Sequence, residues 1–597
     1  MNRYVKYWFL LGTLCLSGGV QADIPPVFGS EYKNRIRQDE LERAFVYPRR
    51  VIWMKGKEAE LIQGENLLLK PGSGQVEFGK KNMCLLKSLE NEGASLLLDY
   101  GKELHGGLQL LTGSSSPGKP VRVRVRFGES VGECNSELAP GKARTGCSTN
   151  DHAMRDMELK IPRDGMIEVG NTGFRFVRID LLEKNAKVYL KEARAVLRYR
   201  DIPYVGSFRS SDARLDSIWL TGAYTVHLNM QDYLWDGIKR DRVIWLGDMH
   251  PEVATICTVF GGNEVVPRTL DLACRQFPLP AWMNGMSAYS LWYLIIQHDW
   301  YMHQGDLDFL RRHKDYITGL VSQIDQRIES DGKEHLASSR FLDWPSSSNP
   351  QGVEAGYRAL IVWALQDAEY LCRILGDAET ARKAHKAVDK IKRLVKPDNG
   401  LKQAAALMAI AGLQSPEEAC SKVIAAGGAQ GFSTFYGYYM LEALARAGRY
   451  EEAMDIMRAY WGGMLDLGAT TFWEDFNLEW ARDAGRIDEP TPNGKKDIHG
   501  SFGAYCYPGY RHSLCHGWAS GPTAWLGRHV LGIEVVEPGC RKVKIAPHLG
   551  HLQWVEGTFP TPYGPIEVKH VRGEDGRVES VIHAPEEVEV IRRGKDD

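Results

Sequence analysis

The chain has few cysteines, 11 in 597 residues. Ten lie beyond residue 22, too sparse to staple a fold of this length, so a disulfide scaffold is excluded even in an oxidising compartment. Cys134 with Cys147, and Cys506 with Cys515, are close enough to pair across loops, but spacing alone does not set connectivity. After residue 22 there is also no apolar stretch long and uncharged enough to cross a bilayer, which takes about 20 residues, so membrane insertion is not expected. An excess of either charge is missing as well. The 74 basic and 76 acidic residues leave no electrostatic footprint for nucleic acid or an anionic surface. Cys506, His512, Cys515 and His516 could ligate a metal, yet their spacing fits no common zinc pattern, so neither metal nor cofactor is expected.

What is present begins with a leader. Arg3 and Lys6 precede an apolar run over 8–16 and a small-residue exit, Val20-Gln21-Ala22, which reads as a secretory signal peptide cut after Ala22. Cys15 lies in that run, but Gly12-Thr13-Leu14 is a poor lipoprotein box. The expected address is the periplasm or the medium. The 16 Trp and 25 Tyr offer flat faces that suit sugar rings, and equally suit ordinary core packing.

The residues beyond the leader exceed one hydrophobic core, so two to four domains are expected. Over 23–207 short alternating runs dominate: Val121, Val123, Val125 and Phe127 alternate with Arg122, Arg124 and Arg126, which predicts an N-terminal β-sandwich. Past Ser211-Asp212, a plausible N-cap, the period changes. Leu360, Ala364, Ala368, Leu371 and Leu375 end at Gly376, and Ala381, Ala384, Val388, Ile391 and Val395 follow, a helical hairpin. A second hairpin carries Phe435, Tyr439 and Leu444 before Gly448, then Ala453, Ile456 and Tyr460. Helix pairs over 208–534 suit a toroid of paired helices, and strand patterning returns over 535–597 as a small β-domain.

Three segments concentrate chemistry. Over 232–252 the chain reads DYLWDGIKRDRVIWLGDMHPE, five carboxylates with Arg, Lys and two Trp, in no helical order. Sugar cleavage needs such a mixture: a protonated acid for the leaving oxygen, carboxylates to hold hydroxyls and aromatic walls. A salt-bridge cluster at a domain interface is the plainer reading. The others are Gly468-Ala469-Thr470-Thr471-Phe472-Trp473-Glu474-Asp475 and His512-Ser513-Leu514-Cys515-His516-Gly517-Trp518.

The stretch from Asp236 through Arg240-Asp241 and Trp245 to Gly247-Asp248 resembles the signature loop of the family 78 α-L-rhamnosidases. The resemblance extends to Leu98-Asp99-Tyr100-Gly101, Gly173-Phe174-Arg175-Phe176-Val177, Pro280-Ala281-Trp282, Asp343-Trp344, Gly462-Gly463-Met464 and Thr561-Pro562-Tyr563-Gly564. It implies an (α/α)6-barrel catalytic domain, flanked by β-domains, that removes terminal α-L-rhamnose with inversion. Position by position it makes Asp241 the general acid and, through GATTFWE, Glu474 the general base. Asp236, Arg240, Trp245, Asp248 and His516 become sugar-binding residues, with Asp343 and a wall of Trp282, Trp344 and Trp473, although Trp282 and Trp344 could equally be barrel core. Three positions depart from the pattern: Asp241 stands where the family has Glu, Lys239 where it has a small polar residue, and Cys515 where it has Asn. The shorter acid keeps other readings in view: another α-glycosidase, a rhamnose–uronate lyase, or a decayed carbohydrate-binding protein. Glu252, one turn past Asp248 if a helix starts there, is the rival acid.

Overall fold

The computed structural model describes residues 39–55, 68–116, 118–137, 155–336, 340–506 and 509–592; the expected leader and Cys147 lie outside them. Alternation builds the first part. In the strand Val121–Gly128 the valines are buried and Arg122 is exposed, as the period of two predicts. Arg126 breaks the alternation; it is buried because Glu137 at 2.8 Å and Asp180 at 3.5 Å pair with it. Where the pattern suggests a two-sheet sandwich, hydrogen bonds join eight strands into one sheet. The reason is strand length. Ser95–Ser116 runs 22 residues and changes partner on the way, pairing with Arg50–Lys55 over 95–99 and with Lys187–Tyr199 from Gly106 onward.

Helices dominate from Ala213–Asn229 to Tyr450–Asp466. Asp212 caps the first by accepting from the Arg214 N–H, the role expected of it. In the first hairpin, Pro350–Ile374 and Ala378–Lys392 turn at Gly376 (φ 72°), and Asp377 caps the second helix by accepting from Thr380 N. Leu360, Ala364, Ala368 and Leu371 are fully buried, and each such leucine contributes on the order of 2 kcal/mol. Val395, expected on the same stripe, lies past the helix end and is exposed. The second hairpin, Gly437–Arg446 and Tyr450–Asp466, buries all six expected residues, and Gly448 (φ 70°) turns it.

The C-terminal strands form two small sheets, and the expected domain limit at 207/208 falls inside one of them. Ser207–Ser210 pairs with Trp554–Thr561, so the segment leading into the first helix is an edge strand of the C-terminal sheet. Among the described residues no helix is long and apolar enough to cross a membrane.

One seam positions the site. Asp99 and Arg175, from the two β-domain motifs, pair bidentately at 2.8 and 3.0 Å, and the same guanidinium donates to Gly468 O at 3.0 Å. Glu103 N donates to Thr470 Oγ1 at 2.9 Å. The long β-strands therefore hold the start of the GATTFWE segment directly.

Candidate active site

The first helix ends at Asn229, and an irregular loop runs from there to Asp248. Asp241 and Arg242 sit in the left-handed region (φ 56° and 51°), where a non-glycine residue costs on the order of 1 kcal/mol or more. The strain turns the Asp241 carboxylate back over its own loop. There Oδ1 lies 3.1 Å from Arg240 Nη1, and Oδ2 accepts from the Trp245 indole N–H at 3.2 Å. The other arm of Arg240, Nη2, donates to Glu474 Oε2, and its Nε donates to Arg511 O at 2.6 Å. One guanidinium thus spans Asp241 and Glu474, residues 233 positions apart in sequence. That caps the separation of the bridged oxygens at roughly 8 Å, a bound within which both inverting and retaining carboxylate pairs fall.

Glu474 is buried. Burial alone would raise its pKa, but Arg240, then His516 and His512, and the Ser513 N–H at 3.1 Å outweigh it and hold the group down at about 2. It is therefore ionised. Its backbone is pinned on both sides, with N donating to Ser513 O at 2.9 Å and O accepting from Thr434 and Trp518. Asp475, which the sequence reading left without a role, is pushed up to about 7, first by burial and then by the charges of Asp343 and Glu474, against the hydroxyl of Tyr505 that donates to it. A carboxyl raised in this way adds stability below about 4, its unfolded value, and that stability is lost as pH rises to about 7. Between pH 5 and pH 8, Asp475→Asn should therefore lose less Tm than the wild type, by about one or two degrees in scanning calorimetry. An equal loss in both proteins would mean that Asp475 does not titrate in this window.

Asp236 and Asp248 are both buried. Asp236 is held well above the usual carboxylate range, by burial first and then by the charges of Asp241 and Asp248, with Val243 N–H bonded to its Oδ1 at 3.1 Å. Asp248 begins the helix Met249–Val259 but does not cap it. Its carboxylate is taken by His516 Nε2 at 2.9 Å and the Tyr289 hydroxyl at 3.2 Å. Burial raises its pKa and His516 opposes the rise. Glu252 is fully buried, with Oε1 against Gly517, where an added Cβ would lie 1.5 Å from it. The Asn229 amide is the polar group beside its carboxyl.

The aromatics divide. Trp245 packs edge-on to Tyr289 at 5.8 Å, Tyr289 to Phe341 at 6.2 Å, and Phe341 to Trp344 at 5.0 Å, a row that ends in an exposed ring. Trp344 is therefore not part of the core. Trp282 is half-buried under the Arg327 guanidinium, 5.5 Å from its ring. Its neighbour Asn284 latches the loop by bonding Leu246 N at 3.1 Å and Ile244 O at 2.9 Å. Trp473 is core, 1% exposed and edge-on to Phe476, with no face open for stacking. Asp343 accepts from Ser433 at 2.7 Å, Gln403 at 3.1 Å and Ser346 N at 3.0 Å. Its charge reaches Asp475.

The four residues weighed as zinc ligands go elsewhere. His516 serves Asp248, His512 accepts from Asp475 N at 2.8 Å, and Cys506 and Cys515 are not joined to each other, so the pairing considered for them does not form. The described residues gather a different trio, Glu129, Glu133 and His499, with ligand atoms within 4.8 Å of one another. The ammonium of Lys239 stands among them, 3.3 Å from Glu129 and 3.0 Å from Glu133, so the cage already holds a cation of the chain's own. The sequence carried no signal for this trio, nor for Tyr289, whose roles arise only from contacts across the fold.

The site thus joins a strained acidic loop and a pinned second carboxylate in a region where helices dominate. The model of the bacterial alpha-L-rhamnosidase 6 hairpin glycosidase domain matches residues 203–403, and that of the bacterial alpha-L-rhamnosidase C-terminal domain matches 532–591. Both matches support membership of glycoside hydrolase family 78, the bacterial α-L-rhamnosidases. An alpha-L-rhamnosidase of Alteromonas sp. (strain LOR) is 24% identical over 469 residues, which cover 69% of this chain and 48% of that protein. The fold is similar to the family 78 rhamnosidase of Bacillus sp. GL1 (TM-score 0.71, 22% identity, 89% of this chain and 55% of that one). It is also similar to a Klebsiella oxytoca rhamnosidase with rhamnose bound (TM-score 0.62, 20% identity, 82% and 96%). The chain thus spans about half the length of the Alteromonas and Bacillus proteins.

Proposed function

We propose that this protein is an exported, exo-acting α-L-rhamnosidase that removes terminal α-L-rhamnose from oligo- or polysaccharides by single displacement with inversion. The observation that carries the reading is the Arg240 guanidinium laid between Asp241 and Glu474, two carboxylates delivered by separate segments. In this scheme Asp241 protonates the glycosidic oxygen, and Glu474 takes a proton from the water that attacks the anomeric carbon. Arg240 and Ser513 both bond Glu474 Oε2, and we assign the water to Oε1. Asp236, kept protonated by its surroundings, donates to a sugar hydroxyl. Asp248, oriented by His516, accepts from another, and the row from Trp245 to Trp344 faces the ring and its aglycone. Asp343 acts behind this row through Asp475. The rhamnose held by the Klebsiella relative supports the choice of sugar.

The paired helices, together with the six-hairpin match, support an (α/α)6 barrel that begins with the helix Ala213–Asn229, after the strand Ser207–Ser210, and lies between an N-terminal and a C-terminal β-domain. The basic-then-apolar start of the chain supports export after cleavage at Ala22.

Proton NMR during the first turnovers of a rhamnoside should show β-L-rhamnose before mutarotation. First release of the α-anomer would overturn the water-activation scheme. A 4,5-unsaturated uronate absorbing in the ultraviolet would assign the protein to the lyases instead.

A further inference from the structure

Lys239 immediately precedes Arg240 in the acidic loop, yet its side chain points away from the sugar-binding carboxylates, into the seam with the N-terminal sheet. Nζ donates to Tyr510 O at 2.5 Å and His512 O at 2.9 Å, and lies 3.0 Å from Glu133, 3.3 Å from Glu129 and 3.4 Å from His499 Nε2. Glu129 and Glu133 flank the start of the short helix Val131–Asn135, which follows the strand Val121–Gly128. All of these side chains are buried. Glu133 has a second cation, Arg155 at 2.5 Å, whereas Glu129 has Lys239 and the Leu514 N–H at 2.8 Å. The two carbonyls that Lys239 binds flank Arg511, whose own carbonyl receives Arg240 Nε. Leu514, held by Glu129, follows the Ser513 N–H that bonds Glu474.

We propose that Lys239 is a positioning residue: a fixed internal cation, gripped by Glu129 and Glu133 of the N-terminal sheet, that draws 510–514 onto the acidic loop and so sets Arg240 between Asp241 and Glu474. The trio around it has the makeup of a divalent-cation site, two carboxylates and an imidazole, and the ammonium does the work a bound ion would do there. An ion can exchange, whereas Lys239 is covalently part of the loop it orders. The N-terminal sheet thereby becomes part of the active-site frame and not only a flanking module.

The catalytic half of the test rests on the rhamnosidase reading, so a second readout is independent of it. Lys239→Met alone strands Glu129 beside no cation and can fail to fold. The variant to compare is therefore Glu129→Gln/Lys239→Met, which removes one charge of each sign and leaves Glu133 with Arg155. In the folded double variant, kcat on an aryl α-L-rhamnoside should fall at least tenfold with KM within about twofold. Hydrogen exchange should speed up at least tenfold over 236–248 and 509–516 while Pro350–Ile374 is unchanged. A folded double variant with wild-type kcat and wild-type exchange would overturn the proposal and leave Lys239 as charge balance alone. A wild type that turns over no rhamnoside would sink the rhamnosidase reading only, and exchange would then decide on Lys239.

Discussion

Glu474→Gln should lower kcat on a natural rhamnoside by about 10²–10⁴, the range general-base catalysis supplies, while free L-rhamnose still binds. The substitution is close to isosteric. A glutamine oxygen can keep the Ser513 N–H, and the backbone stays pinned by Ser513, Thr434 and Trp518. The lost charge is the one Arg240 holds, so the water loses its proton acceptor and the guanidinium one of its two carboxylates. Arg240 also exacts something in the wild type. A base held near 2 is weak, and basicity returns only when the sugar draws the guanidinium away or takes its place. Azide supplies the second check, because it can stand in for activated water and should restore turnover as a glycosyl azide of inverted configuration. Near-wild-type turnover in Glu474→Gln, with binding intact by calorimetry, would remove Glu474 from the base role.

What could be read in the sequence was local. Asp212, Gly376 and Gly448 punctuate helices through their own backbone chemistry, and the buried stripe of the first hairpin follows from a period of 3.6, so these were legible before any contact was known. Val395 shows the limit, because the period continues one step beyond the point where the helix stops. The three chemistry-bearing segments were legible as clusters, but their meeting was not. Arg240 reaches Glu474, and Leu514 reaches Glu129 across 385 positions, through a seam that no local pattern encodes. Trp473 stands in one of the three chemistry-bearing segments and is nonetheless buried, since residue type tells that an aromatic will pack but not against what. Lys239 stood out only as a departure. Its reason lies in two carbonyls more than 270 positions away and two carboxylates more than 100 positions upstream.

Asp241→Asn should reduce activity on a natural sugar leaving group by about 10²–10⁴ and on an activated aryl rhamnoside by about tenfold or less, because only the poor leaving group needs full protonation. The rival donor is Glu252, on the helix Met249–Val259, whose pKa burial, and after it the charge of Asp248, holds well above the usual carboxylate range. A proton-bearing carboxyl is what an acid catalyst requires, so the rivalry is a real one. Geometry separates the two. Glu252 is sealed at 0% exposure against Gly517, with no part of its carboxyl open to a substrate oxygen. Asp241 lies on the strained loop beside the Arg240 bridge, with part of its side chain open. The Arg240 guanidinium and the Trp245 indole both donate to it, so at least one must yield when a protonated Asp241 turns to the leaving oxygen. Glu252→Gln keeps the neutral shape and should move both substrates by the same factor. Should Glu252→Gln discriminate between leaving groups while Asp241→Asn does not, the acid role passes to Glu252, and Asp241 becomes a residue that holds Arg240 and a sugar hydroxyl.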